Sequence, residues 1–132
     1  MDDNRVHPNT AYSRCRRDAE NGDSSAQSEL SILYSKGYGV TKDEKTAFKW
    51  CKLAAEQGHA RAQCNLGMKY YEGKGVEKDY IRAHMWLNIS ATNGLDGAAR
   101  VQEVVSKMMS STEIEKAQDF ARECIKNNYK GF

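Results

Sequence analysis

The apolar positions in the middle of the chain fall on helical faces. Ala26, Leu30, Leu33 and Tyr34 recur at the three- and four-residue spacing of an amphipathic helix. Ser24 and Gln27 at its start have the spacing of a capping box. The segment KGYGV ends it, because Gly37 and Gly39 can adopt the positive φ of a helix C-terminus. Asp43 then caps a second helix, where its carboxylate also meets the positive end of the helix dipole. That helix turns Ala47, Trp50, Cys51, Ala54 and Ala55 inward and ends at Gly58.

The same pattern returns 36 residues later. Ala62-Gln63, Leu66, Tyr70, Gly73, Gly75, Val76, Asp79, Ala83, Trp86, Ala91 and Gly94 stand where Ala26-Gln27, Leu30, Tyr34, Gly37, Gly39, Val40, Asp43, Ala47, Trp50, Ala55 and Gly58 stood. A period of this length predicts an all-α fold, an α/α superhelical solenoid of stacked helix pairs. Alanines at 47, 54 and 55 let helix backbones approach closely, while Trp50 and Tyr34 fill the space between layers.

Both ends carry partial copies. TAYSRCRRDAENG at 10–22 matches TAFKWCKLAAEQG at 46–58, so residues 9–21 read as a second helix without its first. Arg14 and Arg17 replace Trp50 and Leu53 there, as a polar cap on a solenoid end requires. After Gly94 a helix is expected over 97–108 with no glycine loop following. Ser110 and Glu113 form another capping box, with Met109 and Ile114 placed as a hydrophobic staple. The last helix, about 111–128, presents Ile114, Ala117, Ala121, Cys124 and Ile125 on one face and reads as a lid. The layout is about six helices in three stacked pairs.

Composition narrows the partners. Twenty basic and 18 acidic residues in 132 give a net charge of +2, too even to imply nucleic acid or an anionic membrane as the obligate partner. No apolar run reaches the length of a transmembrane helix, and MDDNRVHPNT has no apolar core for a secretory signal. Cys15, Cys51, Cys64 and Cys124 form no CxxC pair. Cys15 and Cys51 share a register about 8–10 Å apart, too far for a bridge. Cys51 and Cys64 could face each other across the Gln57-Gly58 turn, although buried free thiols are preferred to a disulfide. Four cysteines without a disulfide pattern favour a reducing compartment, hence a cytoplasmic location, with the periplasm as the alternative if a signal preceded Met1.

The strings AQSELSILYSKGYGVTKDEKTAFKWCKLAA and AQCNLGMKYYEGKGVEKDYIRAHMWLNISA resemble the Sel-one-like repeat (SLR), a relative of the tetratricopeptide repeat. Departures are Ser31 for a small glycine and Ser90 for an alanine. The resemblance divides the chain into a disordered stretch 1–8 and a single solenoid 9–130. Within it lie a half-repeat helix 9–21, repeats 22–57 and 58–93, and a divergent repeat with capping helix 94–130. It implies a non-enzymatic adaptor or scaffold between proteins. A cysteine-rich branch is linked to β-lactam binding or hydrolysis, but its cysteines would fall near Ala55 and Ala62, and no Ser-x-x-Lys motif occurs.

Chemistry is sparse along the chain. His7, His59 and His84 have no His or Cys partner at helical metal spacing, and His59 and His84 are expected to be ordinary exposed residues. No catalytic residue, metal ligand or cofactor site is proposed from the spacing. Arg14, Arg16 and Arg17 read as a solvated face, with an anion site as the rival. The glycines form GxGV turns rather than a phosphate cradle.

Recognition is therefore expected on the concave face lined by the first helix of each unit, where a resemblance to tetratricopeptide stacks places the groove. Ser28, Ile32, Ser35, Arg61, Asn65, Met68 and Tyr71 are the candidate partner-binding residues, within a wider set that includes Ser25, Glu29 and Cys64. Met68 is open between groove and interhelix packing. The expected partner is a protein segment bound by a monomer, not nucleic acid or membrane. The alternatives are an immunity-type inhibitor that masks a toxin enzyme and, from another class, a β-lactam hydrolase.

Overall fold

The computed structural model describes residues 11–132; the expectations for residues 1–8 and for a helix start at residue 9 lie outside the described residues. Seven helices follow in order: α1 (Ala11–Glu20), α2 (Ser24–Lys36), α3 (Glu44–Glu56), α4 (Ala60–Glu72), α5 (Tyr80–Thr92), α6 (Ala98–Ser106) and α7 (Ser111–Lys126). They are the expected half-unit helix, two helices for each full unit and the closing pair, seven where about six were expected. Consecutive helices from α1 to α6 pack on one another, and α7 packs on α5. The closing helices α6 and α7 thus both rest principally on α5.

The turn chemistry follows the repeat. Gly37 and Gly73 end α2 and α4 in the left-handed conformation, at φ 71° and 72°. Asp43 and Asp79 cap α3 and α5, and the Asp43 carboxyl is held below its usual range chiefly by hydrogen bonds from the Thr46 hydroxyl and amide. Ser110 and Glu113 close the expected capping box on α7. One cap differs: Asp23, not Ser24, accepts from the Ala26 amide at the start of α2. The Gln27 amide, expected to reach back to Ser24, instead donates to the Ala19 carbonyl at 3.1 Å.

That bond belongs to a polar ladder repeated with the sequence. Gln27 Nε2 bonds Ala19 O, and Gln63 Nε2 bonds Ala55 O at the same 3.1 Å. Gln57 Nε2 donates to Gln27 Oε1 at 2.7 Å, and Asn93 Nδ2 to Gln63 Oε1 at 2.8 Å. The buried amides satisfy carbonyls at the ends of α1 and α3, and so tie each unit to the next. Tyr129 ends the ladder by accepting from Asn93 at 3.2 Å.

Burial deepens along one register. Arg14 is exposed, Trp50 half-buried and Trp86 fully buried. Trp50 packs against the small N-terminal core of Tyr12, Ala19, Leu30 and Val40, while Trp86 belongs to the larger core running from α3 to α7. The arginine therefore stands at the end with least cover. On α7, Ala117, Ala121 and Cys124 face the core, but Ile125 is exposed at 43% rather than sharing that face. Ile114 is half-buried.

The two units also approach each other through backbone. A Cβ on Gly75 would lie 2.1 Å from the Glu44 carbonyl oxygen, so the loop after α4 rests on the first turn of α3.

Candidate functional site

A cavity of about 340 Å³ opens between α2 and α4, the first helices of the two full units. Ile32 and Met68 form its apolar part; Met68 is 37% exposed. Ser31, Ser35 and Asn65 add neutral polar groups. Lys36, Arg61, Lys69, Glu72 and Lys74 add charge. These residues meet because α2 and α4 are separate layers of the stack, each packed on α3, so their outward faces flank the space between them.

Lys69 is the anchor of the site. It is only 8% exposed, and its ammonium lies 3.6 Å from Glu44 Oε1. The Ser35 hydroxyl donates to the same carboxylate oxygen at 2.9 Å. A buried lysine requires such a counter-charge, and the pair joins α4 to the first turn of α3. Lys74 lies 3.9 Å from Glu72 with both side chains about half exposed, an arrangement of little energetic weight. Lys36 and Arg61 are exposed and take part in no ion pair among the described residues.

Of the residues expected to bind a partner, Ile32, Ser35, Arg61, Asn65 and Met68 line this cavity together. Met68 thus lines the cavity and is 37% exposed. Ser28 does not line the cavity; it is buried, as is Cys64 of the wider set. Tyr71 also stands apart: its ring packs on Tyr80 with centroids 5.6 Å apart, against the larger core. Lys69 was missed because it occupies the register of Leu33, an inward packing position in the first copy.

A second cleft, of about 550 Å³, lies between α5, α6 and α7 and is lined by His84, Arg100, Gln102, Glu103, Ile114 and Gln118 among others. Here the structure corrects an expectation: His84 is buried, 2% exposed, because α6 and α7 both cover α5. Its Nε2 lies 3.4 Å from the Gln102 amide nitrogen, its Nδ1 has no partner among the described residues, and burial pushes its pKa down. His59 is half-buried and caps α4, its Nδ1 accepting from the Ala62 amide at 3.2 Å.

The thiols are poor nucleophiles. Cys15 donates to the Ala26 carbonyl and Cys51 to the Ala62 carbonyl, the same bond one period apart. Burial pushes their pKa up to about 11 and about 12, and that of Cys124 to about 11, so little thiolate forms near neutrality. All four cysteines are free. Among the described residues, no group of three His, Cys, Asp or Glu side chains is placed to hold a metal ion, and no helix is long and apolar enough to cross a membrane.

The Sel1 repeat family model matches residues 24–59 and 60–95, more than half of the chain. Among solved structures, the chain is similar to a protective antigen present in uropathogenic Escherichia coli strains and displaying an SLR fold. The TM-score is 0.85 and the identity 31%, over 90% of this chain and 27% of that one. It is also similar to a Sel1 repeat protein from Oxalobacter formigenes, with a TM-score of 0.66 and 38% identity over 67% of each chain. The chain therefore spans about a quarter of the antigen's length. No curated protein matches it significantly.

Proposed function

The chain belongs to the Sel1 repeat family, whose repeats generally serve as protein-interaction modules, and from that premise we propose that the cavity between α2 and α4 binds a segment of a partner protein. The observation that carries this reading is where the two copies differ. Ile32 against Met68, Glu29 against Asn65 and Ser25 against Arg61 are equivalent positions, and the second-copy residues Arg61, Asn65 and Met68 all line the cavity. The residues that agree between copies are consumed by packing, turning and capping. Variation without a packing reason is what a recognition surface requires.

The module works without catalysis in this reading. Its thiols, three buried and Cys15 half-buried, are held protonated near neutrality, and the cavity residues offer contact area and charge rather than a nucleophile with its base. A mixed surface of methionine, isoleucine and charged rim residues suits a peptide or helix.

Placing a photo-reactive residue at Asn65 tests the proposal. Crosslinking in native extract should capture a discrete protein from Asn65 and not from Leu53, an exposed position on α3 outside this cavity. Equal capture from both positions, or capture from Leu53 alone, would remove the groove assignment.

A further inference from the structure

Charge around the α2–α4 cavity is lopsided in a chain that is nearly balanced. Four cationic side chains line it, Lys36, Arg61, Lys69 and Lys74, against one anionic one, Glu72. Lys69 is compensated by Glu44 at 3.6 Å, and Lys74 lies 3.9 Å from Glu72. Lys36 and Arg61 are left over, a local surplus as large as the net +2 of the whole protein. Both are exposed, Lys36 on α2 and Arg61 on α4, and Ile32 and Met68 line the same cavity.

We propose that the segment held in this cavity is acidic, its carboxylates bonding Arg61 and Lys36 while an aliphatic side chain rests on Ile32 and Met68. This rests on the groove reading above and adds the chemistry of the partner. Arg61 offers a planar fork matched to a carboxylate, and Lys36 a mobile point charge on the opposite wall. The Lys69–Glu44–Ser35 cluster is already satisfied and holds the floor in place rather than binding. Nucleic acid fits less well, because none of the residues lining the cavity is aromatic and a base has no ring to stack on.

The test is selection of binders from a library of random displayed peptides on the full chain. Peptides rich in Asp and Glu, with one aliphatic residue, should be enriched. Their affinity should drop about tenfold or more in the Arg61→Glu, Lys36→Glu double variant, drop less in Arg61→Lys, which keeps the charge but loses the fork, and weaken as salt rises. Circular dichroism of the variants checks that both remain folded. Enrichment of neutral or basic peptides whose binding is lost in Met68→Asp would overturn the acidic partner and leave the groove standing. Peptides indifferent to all these substitutions, or no enrichment at all, would overturn both. An oligothymidylate that binds more tightly than the selected peptides and is lost in Arg61→Glu would overturn the acidic-peptide assignment in favour of nucleic acid.

Discussion

A Cβ placed on Gly67 would lie 2.8 Å from Leu87 Cγ. It would also lie 3.0 Å from the Ala83 carbonyl oxygen. In the first copy the equivalent pair is Ser31 and Cys51, and there the Ser31 hydroxyl donates to the Ala47 carbonyl at 2.6 Å. The bulk of one partner sets the size of the other: leucine demands glycine, and cysteine leaves room for serine. Gly67→Ala should cost about 1–3 kcal/mol by overpacking. Adding Leu87→Cys to Gly67→Ser should recover part of the combined loss, with a coupling of about 1 kcal/mol or more in urea unfolding. Additive losses would disprove the pairing.

The loop that carries Gly75 is predicted to be the least tolerant turn. Its φ is +76° and its Cβ would strike the Glu44 carbonyl at 2.1 Å, whereas Gly94, at φ +92°, has nothing within 4 Å. Gly94→Ala should cost about 1–3 kcal/mol from backbone strain alone. Gly75→Ala should cost more, because the second unit must lift off α3. Thermal melting of the two variants side by side gives the order.

The ladder predicts a polar dependence inside an apolar stack. Gln63 is fully buried, and it both donates to Ala55 O and accepts from Asn93. Gln63→Leu keeps most of the volume but removes the bonds to the Ala55 carbonyl and from Asn93; the carbonyl keeps the Gly58 amide and Asn93 keeps Tyr129, so the cost is about 0.5–1.5 kcal/mol per lost bond. Chemical denaturation should show this loss, with the helical signal of the native state unchanged.

His84 predicts an acid sensitivity. Its folded pKa is depressed by burial below the ordinary 6.5, so the unfolded chain binds its proton first as pH falls. Stability is then full above about pH 6.5 and declines as pH drops through the window between the unfolded and folded values. Melting temperatures from about pH 7 to about pH 5 should fall in the native sequence and fall less in His84→Gln. Arg100 and Glu103 on α6 and Gln118 on α7 line the same cleft, while the shift itself comes from burial.

The stack was legible because packing, turning and capping each demand particular residues at fixed spacing. Asp43, Asp79, Gly37 and Gly73 signal their roles locally. What failed depended on distant neighbours. Ser24 and Gln27 have a capping-box spacing, but Gln27 is taken by Ala19 and Gln57 across the layers, and Asp23 caps instead. His84 gave no sign of burial because its cover comes from α6 and α7, which depart from the repeat. Around the α2–α4 cavity, five of seven candidates converge; Tyr71 is drawn away by Tyr80, and Lys69 was hidden in an apolar register, its counter-charge Glu44 lying on the preceding helix.

The most direct measurement is the affinity of the partner captured from Asn65, titrated by calorimetry against the native chain and against an Arg61→Glu, Met68→Ala double variant. Both residues sit on the open wall of the cavity, so melting temperature should hold while affinity falls about tenfold or more. Unchanged affinity in a fully folded double variant would contradict recognition through the cavity between α2 and α4.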